Sequence, residues 1–271
     1  VHQWQAVTAV ARGAAHAARG RAAQDAVRAA RSADCTVVAV ADGHGHAQHF
    51  RSEIGAVLAV DAACSQGLRR LPALLGADVE RPQRAVRQAF VPLLIEHWRA
   101  AVMGHLAQLP YQETVEEPLI PYGSTLVMTA ACPPWLLCLQ IGDGDLLVVR
   151  PDGNSFAPVP PDAALDGRRT TSLCQADAAA SVRLAVVDLR REDVALVLLA
   201  TDGYGNAQSE DDWQPEVGAD LAQLAAEHGT EWFAAQLPLW ARACASGAGS
   251  GDDTSIALLL RSSEGAAPWT P

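Results

Sequence analysis

Four apolar runs in this chain end at an aspartate beside a glycine, and that pattern constrains the fold more than any other feature. CTVVAVADGHG (35–45), LLCLQIGDGD (136–145) and ALVLLATDG (195–203) run into the acid, and GDDTSIALLL (251–260) runs out of it. Apolar, β-branched runs of this length bounded by turn residues read as strands. A strand that ends on an acid delivers a carboxylate to the rim of a sheet. If the four strands are neighbours, Asp42, Asp143, Asp202 and Asp252 gather into one cluster. Like charges that close repel unless a cation sits among them. The pattern points to bound divalent metal and, through it, to a metal-dependent hydrolase.

The chain can afford a core around such a rim. Of its 271 residues 49% are hydrophobic and 19% charged, which excludes disorder. The formal net charge of -11 argues against a nucleic-acid surface, which needs a basic face. None of the 6 cysteines forms a C-x-x-C pair, and Cys35 and Cys138 lie inside apolar runs, where a thiol behaves as a small hydrophobe. Neither a structural zinc nor a disulfide framework is expected. The N-terminal stretch lacks the apolar segment of a signal peptide, and no run is long enough to span a membrane. These features predict a soluble, cytoplasmic protein with no membrane partner, working as a monomer.

Along the chain, strands are expected over 1–12, 25–31, 35–41, 124–131, 135–141, 145–150, 181–188, 194–200 and 254–261. Helices are expected over 47–70 and 82–108, the second kinked or split at Pro92, and over 219–228 and 230–246, with Thr230 as an N-cap. Phe50, Ile54, Val57, Leu58 and Ala62 share one face of the first helix. Val86, Phe90, Leu93, Leu94, His97, Trp98 and Ala101 share one face of the second. The stretch 151–180 reads as a long loop or flap, and 262–271 as a flexible tail. One catalytic domain over 1–261 is implied. Runs of strands separated by helix pairs predict layers built on antiparallel hairpins rather than βαβ units.

Six motifs in this order resemble the metal-dependent protein Ser/Thr phosphatases, the protein phosphatase 2C-like family, in a bacterial-type branch. They are QDA (24–26), ADGHGH (41–46), YGSTLVMTA (122–130), IGDGD (141–145), LLATDGYGNA (198–207) and GDDTSIALLL (251–260). The resemblance implies an α+β fold, a four-layer α-β-β-α sandwich of two antiparallel sheets flanked by helix pairs. It also implies two Mn²⁺ or Mg²⁺ ions sharing a bridging water. Asp42 is similar to the bridging ligand and Gly43 would offer its carbonyl. Asp25, Asp202 and Asp252 would complete the shell, and Asp143 would serve a third, weaker ion. His44 matches the general acid to the leaving oxygen. The implied substrate is a phosphoserine or phosphothreonine protein, paired with a Ser/Thr kinase.

The residues agree with that chemistry on their own terms. Carboxylates and a carbonyl are hard ligands suited to Mg²⁺ and Mn²⁺, and an imidazole suits proton donation near neutral pH. Four positions depart from the family pattern. Gly20 stands where the phosphate-gripping arginine often sits, leaving Arg19 and Arg21 as substitutes. Gln24 replaces a frequent glutamate, His46 a glycine and Asp145 an arginine. Two alternatives stand beside the phosphatase: a pseudophosphatase that binds phosphoprotein without cleaving it, and a hydrolase of small phosphate esters. A zinc site at His44, His46 and His49 is disfavoured by their spacing. Ser124 and Thr125 read as strand residues beneath the site, and His16 is notable only for its nearness to Asp25.

Overall fold

The computed structural model describes residues 3–76, 80–111, 115, 117–162, 170–210 and 212–262. Ten strands are present among the described residues: β1 (Gln3–Ala11), β2 (Ala26–Arg31), β3 (Thr36–Ala41), β4 (Leu126–Cys132), β5 (Trp135–Ile141), β6 (Asp145–Val149), β7 (Ser155–Phe156), β8 (Arg183–Asp188), β9 (Leu196–Ala200) and β10 (Thr254–Ser262). They form two antiparallel sheets, ordered β1-β10-β9-β6-β7 and β2-β3-β4-β5-β8. The α-helices are α1 (Ala14–Ala18), α2 (Ser52–Leu74), α3 (Pro82–Ala85), α4 (Val91–Gln108), α5 (Ala178–Ser181), α6 (Asp202–Gly205), α7 (Gln214–Glu227) and α8 (Thr230–Cys244).

The continuous apolar runs are explained by burial on both faces. Along β3, Val37, Ala39 and Ala41 face the core shared with α2 and α4, while Val38 and Val40 face the second sheet. Along β9, Leu196 and Leu198 face α7 and α8, and Val197 and Leu199 meet Val38 and Val40 between the sheets. Strand alternation thus supplies two cores from one run. The result is the expected four-layer α-β-β-α sandwich.

The helices depart from expectation in detail. A 3₁₀ turn over Ala47–His49 precedes α2, and Phe50 and Val57 are exposed. The buried face is instead lined by small residues, Ala56, Ala59, Ala63 and Gly67, which let α2 lie close to the sheet. His97 is exposed, whereas Val86, Phe90, Leu94 and Trp98 are buried as expected. The division expected at Pro92 takes the form of a π-helical turn over Val86–Phe90. Pro92 follows in the first turn of α4, where a missing N–H costs little. Gly229, not Thr230, occupies the N-cap of α8, and the Thr230 hydroxyl donates to Gln5 Oε1 instead.

The expectation of no disulfide is also overturned. Cys35 and Cys132 form a disulfide, although 97 residues separate them in sequence. They lie one step beyond the Thr36↔Ala131 pair of the β3–β4 ladder, so strand register brings them face to face. The stretch 151–180 is also less loop-like than expected. It contains β7, and Thr171, Ser172 and Leu173 are buried beneath the Ser124 carbonyl; residues 163–169 of it, and 263–271 of the expected tail, lie outside the described residues.

Candidate metal centre

Antiparallel register collects the acids at one edge of the sandwich. Ala26 pairs with Ala41, so Asp25, which precedes β2, lies beside Asp42, which follows β3. Leu126 pairs with Ile141, which places the Gly142–Gly144 turn and Asp143 at the same end of that sheet. In the other sheet Ala200 pairs with both Ile256 and Asp145. Asp202 follows β9 and Asp252 precedes β10, so both belong to this edge. The strand-end acids seen in sequence are therefore neighbours, and Asp25 and Asp145 join them.

The electrostatics of the edge show how crowded it is. Burial, and then repulsion from Asp25, Asp202, Asp252 and Asp143, pushes the Asp42 carboxyl well above the usual range. Asp25 is pushed up to about 8 by burial, with Asp253 and Asp202 adding to the shift. Asp145 rises to about 7 and Asp202 to about 6, again through burial first and neighbouring acids second. The largest charge effects on Asp42 all come from neighbouring acids. Among the described residues no three acid, histidine or cysteine side chains converge tightly enough to grip one ion alone. The donor set still fits Mg²⁺ or Mn²⁺, because such ions keep several waters and take only a few carboxylates. The unmet need for positive charge is the observation that makes the fit.

Local hydrogen bonds hold the acids in place. Thr201 Oγ1 donates to Asp25 at 2.7 Å and accepts from the Ser255 N–H. Thr125 Oγ1 accepts from the Asp42 N–H at 3.0 Å, and the Thr125 N–H donates to the Asp42 carbonyl. Gly43 is wedged between backbones: a Cβ there would lie 2.7 Å from Gln24 O and from Ser52 O. Only glycine lets the chain turn at this point. Gln24 Nε2 donates to the His44 carbonyl at 3.2 Å and to Ser52 Oγ. A glutamate could not donate, so this departure from the family pattern serves the turn. Thr171 Oγ1 accepts from Gly142 N–H, and Arg183 Nη2 donates to Gly142 O, which steadies the turn carrying Asp143.

His44 stacks edge-on against His49, ring centroids 4.8 Å apart, and His46 lies 6.4 Å from His49. Burial, and then the nearby His49, lowers the His44 imidazole to about 4. The ring is neutral at pH 7 in this state, so proton donation requires a further negative charge beside it. Arg19 and Arg21 are exposed on the loop before Asp25, on either side of Gly20. Gly20 has φ +65°, a conformation that disfavours any L side chain, so this loop is built without an arginine there. A cavity of about 340 Å³ opens beside the acids, lined by Asp143, Asp145, Asp202, Asn206, Glu210 and Trp213 among others.

One residue that the sequence reading passed over organises much of this edge. Asp253 is 3% exposed and accepts from Gly13 N–H at 2.6 Å, Gln24 N–H at 2.6 Å and His16 Nδ1 at 2.7 Å. The signal available was the second acid of GDDTS. Both Asp253 carboxylate oxygens are taken by these three donors.

No curated protein matches the chain in sequence. Solved structures share its fold. The Streptococcus (S. agalactiae) serine/threonine phosphatase is 17% identical with a TM-score of 0.60, covering 95% of this chain and 99% of its own. PppA, described as a key regulatory component of T6SS in Pseudomonas aeruginosa, is 19% identical with a TM-score of 0.57, covering 95% and 97%. The catalytic domain of the serine threonine protein phosphatase PstP, in complex with 2 manganese ions, is 18% identical with a TM-score of 0.55, covering 96% and 99%. The protein phosphatase 2C family model matches residues 12–238. The chain belongs to the protein phosphatase 2C family.

Proposed function

We propose that this protein hydrolyses phosphoserine and phosphothreonine on protein substrates, using two Mn²⁺ or Mg²⁺ ions at the acidic edge. The observation that carries the reading is Asp42, buried among four other carboxylates that all oppose its ionisation. Asp25, Asp42, Asp202 and Asp252, with the Gly43 carbonyl, would hold the two ions, and Asp143 an auxiliary third. The two manganese ions of the PstP structure support that number. When bound, the ions supply the Lewis acidity that makes a water nucleophilic at neutral pH and offset the charge on the phosphoryl oxygens.

The chain's own residues do the rest. Thr125 and Thr201 orient Asp42 and Asp25 through the bonds described above. His44 is the general acid. A phosphate dianion beside the ring raises its proton affinity, and the imidazolium then protonates the departing serine or threonine oxygen. Arg19 and Arg21, on the exposed loop, would supply the positive charge that grips the phosphate. A phosphorylated protein, the product of a Ser/Thr kinase, is the partner.

The Gly20 conformation favours one second reading, a pseudophosphatase with a weakened phosphate grip. A panel of phosphoserine peptide, phosphothreonine peptide and a small sugar phosphate separates the readings. Release from the peptides, reduced by at least about 100-fold in Asp42→Asn, is expected, because losing a ligand costs more than losing its hydrogen-bond partner. Peptide binding without release supports the pseudophosphatase, and preference for the small ester contradicts the protein-substrate assignment.

A further inference from the structure

The metal ligands come from two different sheets, and something must fix their separation. Asp25 enters through β2 of one sheet and Asp252 through β10 of the other. No ladder hydrogen bond joins these strands, since β2 and β10 lie in separate sheets. Thr201 bridges the Asp25 side chain to Ser255 of β10, and Asp253 joins the backbones themselves. Its Oδ1 takes the Gly13 N–H, and its Oδ2 takes both the Gln24 N–H and His16 Nδ1. Gln24 precedes Asp25, and Asp253 follows Asp252. One buried carboxylate therefore ties the backbone next to one candidate ligand to the backbone next to the other. The Asp253 N–H also donates to Asp252 Oδ1 at 2.9 Å, which sets the rotamer of that ligand.

The surroundings are shaped for this clasp. Gly13 lies against the backbone of 251–253, where a Cβ would sit 2.4 Å from the Asp252 carbonyl carbon. The Ala15 N–H donates to Gly251 O, and the Ala14 N–H to Ala245 O. Segment 13–25, which carries Arg19, Arg21 and Asp25, is thus hung on the loop that carries Asp252. His16 is 8% exposed. Its Nδ1–H supplies the third donor and fixes the tautomer of the ring.

We propose that Asp253 and His16 form a positioning pair that sets the spacing of Asp25 and Asp252 for metal binding. The proposal rests on the metal reading above. Neither residue is a ligand; both act through the backbone they hold. An asparagine at 253 has one accepting oxygen and an NH₂ group, so it cannot satisfy three donors. An asparagine at 16 can still donate to Asp253, whereas an alanine cannot.

The test is the affinity for Mn²⁺, measured by calorimetric titration of the whole protein, with thermal unfolding recorded for each variant. His16→Ala and Asp253→Asn are each expected to weaken Mn²⁺ binding by about 10- to 100-fold, as loss of an outer partner does. His16→Asn is expected to recover most of that loss. Excess Mn²⁺ should restore kcat in His16→Ala. If Asp253→Asn does not fold, the two His16 variants decide the matter. Folded His16→Ala with wild-type Mn²⁺ affinity overturns the pair while leaving the metal reading intact. Equal weakening in His16→Ala and His16→Asn overturns it too. A wild-type protein that binds no Mn²⁺ overturns the metal reading and this proposal with it.

Discussion

His44 shows how environment decides what a residue can do. Its imidazole is lowered to about 4, mainly by burial and secondly by His49. A ring of that kind is neutral at pH 7, so the proposed general-acid role requires that arriving phosphate raise its proton affinity. This predicts a dependence on the leaving group. His44→Ala should slow hydrolysis of a phosphoserine peptide by about 10²- to 10⁴-fold, because a serine alkoxide needs a proton. An aryl phosphate, whose phenolate leaves without one, should lose far less. Steady-state rates on both substrates check this, and equal losses would remove the general-acid role. The neighbouring acids carry the opposite lesson. Asp25 and Asp145 are neutral or part-ionised near pH 7 because burial, and then the neighbouring acids, disfavours their charge.

At the scale of elements, strands place the chemistry and turns expose it. The register pairs Ala26↔Ala41 and Asp145↔Ala200 are what bring acids from distant parts of the chain to one edge. The same register joins Cys35 to Cys132. That pairing predicts four titratable thiols, not six, in the denatured, unreduced protein, from Cys64, Cys138, Cys174 and Cys244. Replacing both bonded cysteines with serine should cost about 2–4 kcal/mol in denaturant unfolding. Six free thiols, or an unchanged unfolding midpoint, would contradict the cross-strand link. Strands were legible in the sequence because burial on two faces demands unbroken apolar runs. The disulfide was not, because it depends on which strands pair, and no local pattern records that. For the same reason Asp42, Asp143, Asp202 and Asp252 stood out at strand ends, whereas Asp253 did not. Its importance comes from Gly13, His16 and Gln24, which only the fold brings to it. The exposed Val57 has a similar origin: helical spacing named a face, but close packing of Ala56, Ala59 and Ala63 chose a different one.

For the whole molecule, the acidic edge ties stability to pH and metal. Asp25, Asp145 and Asp202 have folded values of about 8, 7 and 6, raised from 3.8. Between those limits the folded state binds more protons than the unfolded state, so stability falls as pH rises from about 4 to about 8. His44, lowered from 6.5 to about 4, works the other way and adds stability as pH rises through that window. His49 is lowered as well, but the raised acids, Asp42 among them, outweigh the two histidines. Metal-free protein should therefore melt at a lower temperature at pH 8 than at pH 6, and saturating Mn²⁺ should narrow or reverse the gap by binding the ionised acids. Thermal scans at both pH values, with chelator and with Mn²⁺, measure it. A metal-free melting temperature that rises from pH 6 to pH 8 would contradict the crowded-carboxylate account.

The central claim is that the strand-end acids hold divalent ions and that those ions drive phosphoester hydrolysis. Phosphate release from a phosphoserine peptide tests it most directly, followed in Mn²⁺, after chelation, and after Mn²⁺ is restored. Release that stops on chelation and returns with Mn²⁺ is the predicted result. Release that continues undiminished in excess chelator would contradict the account.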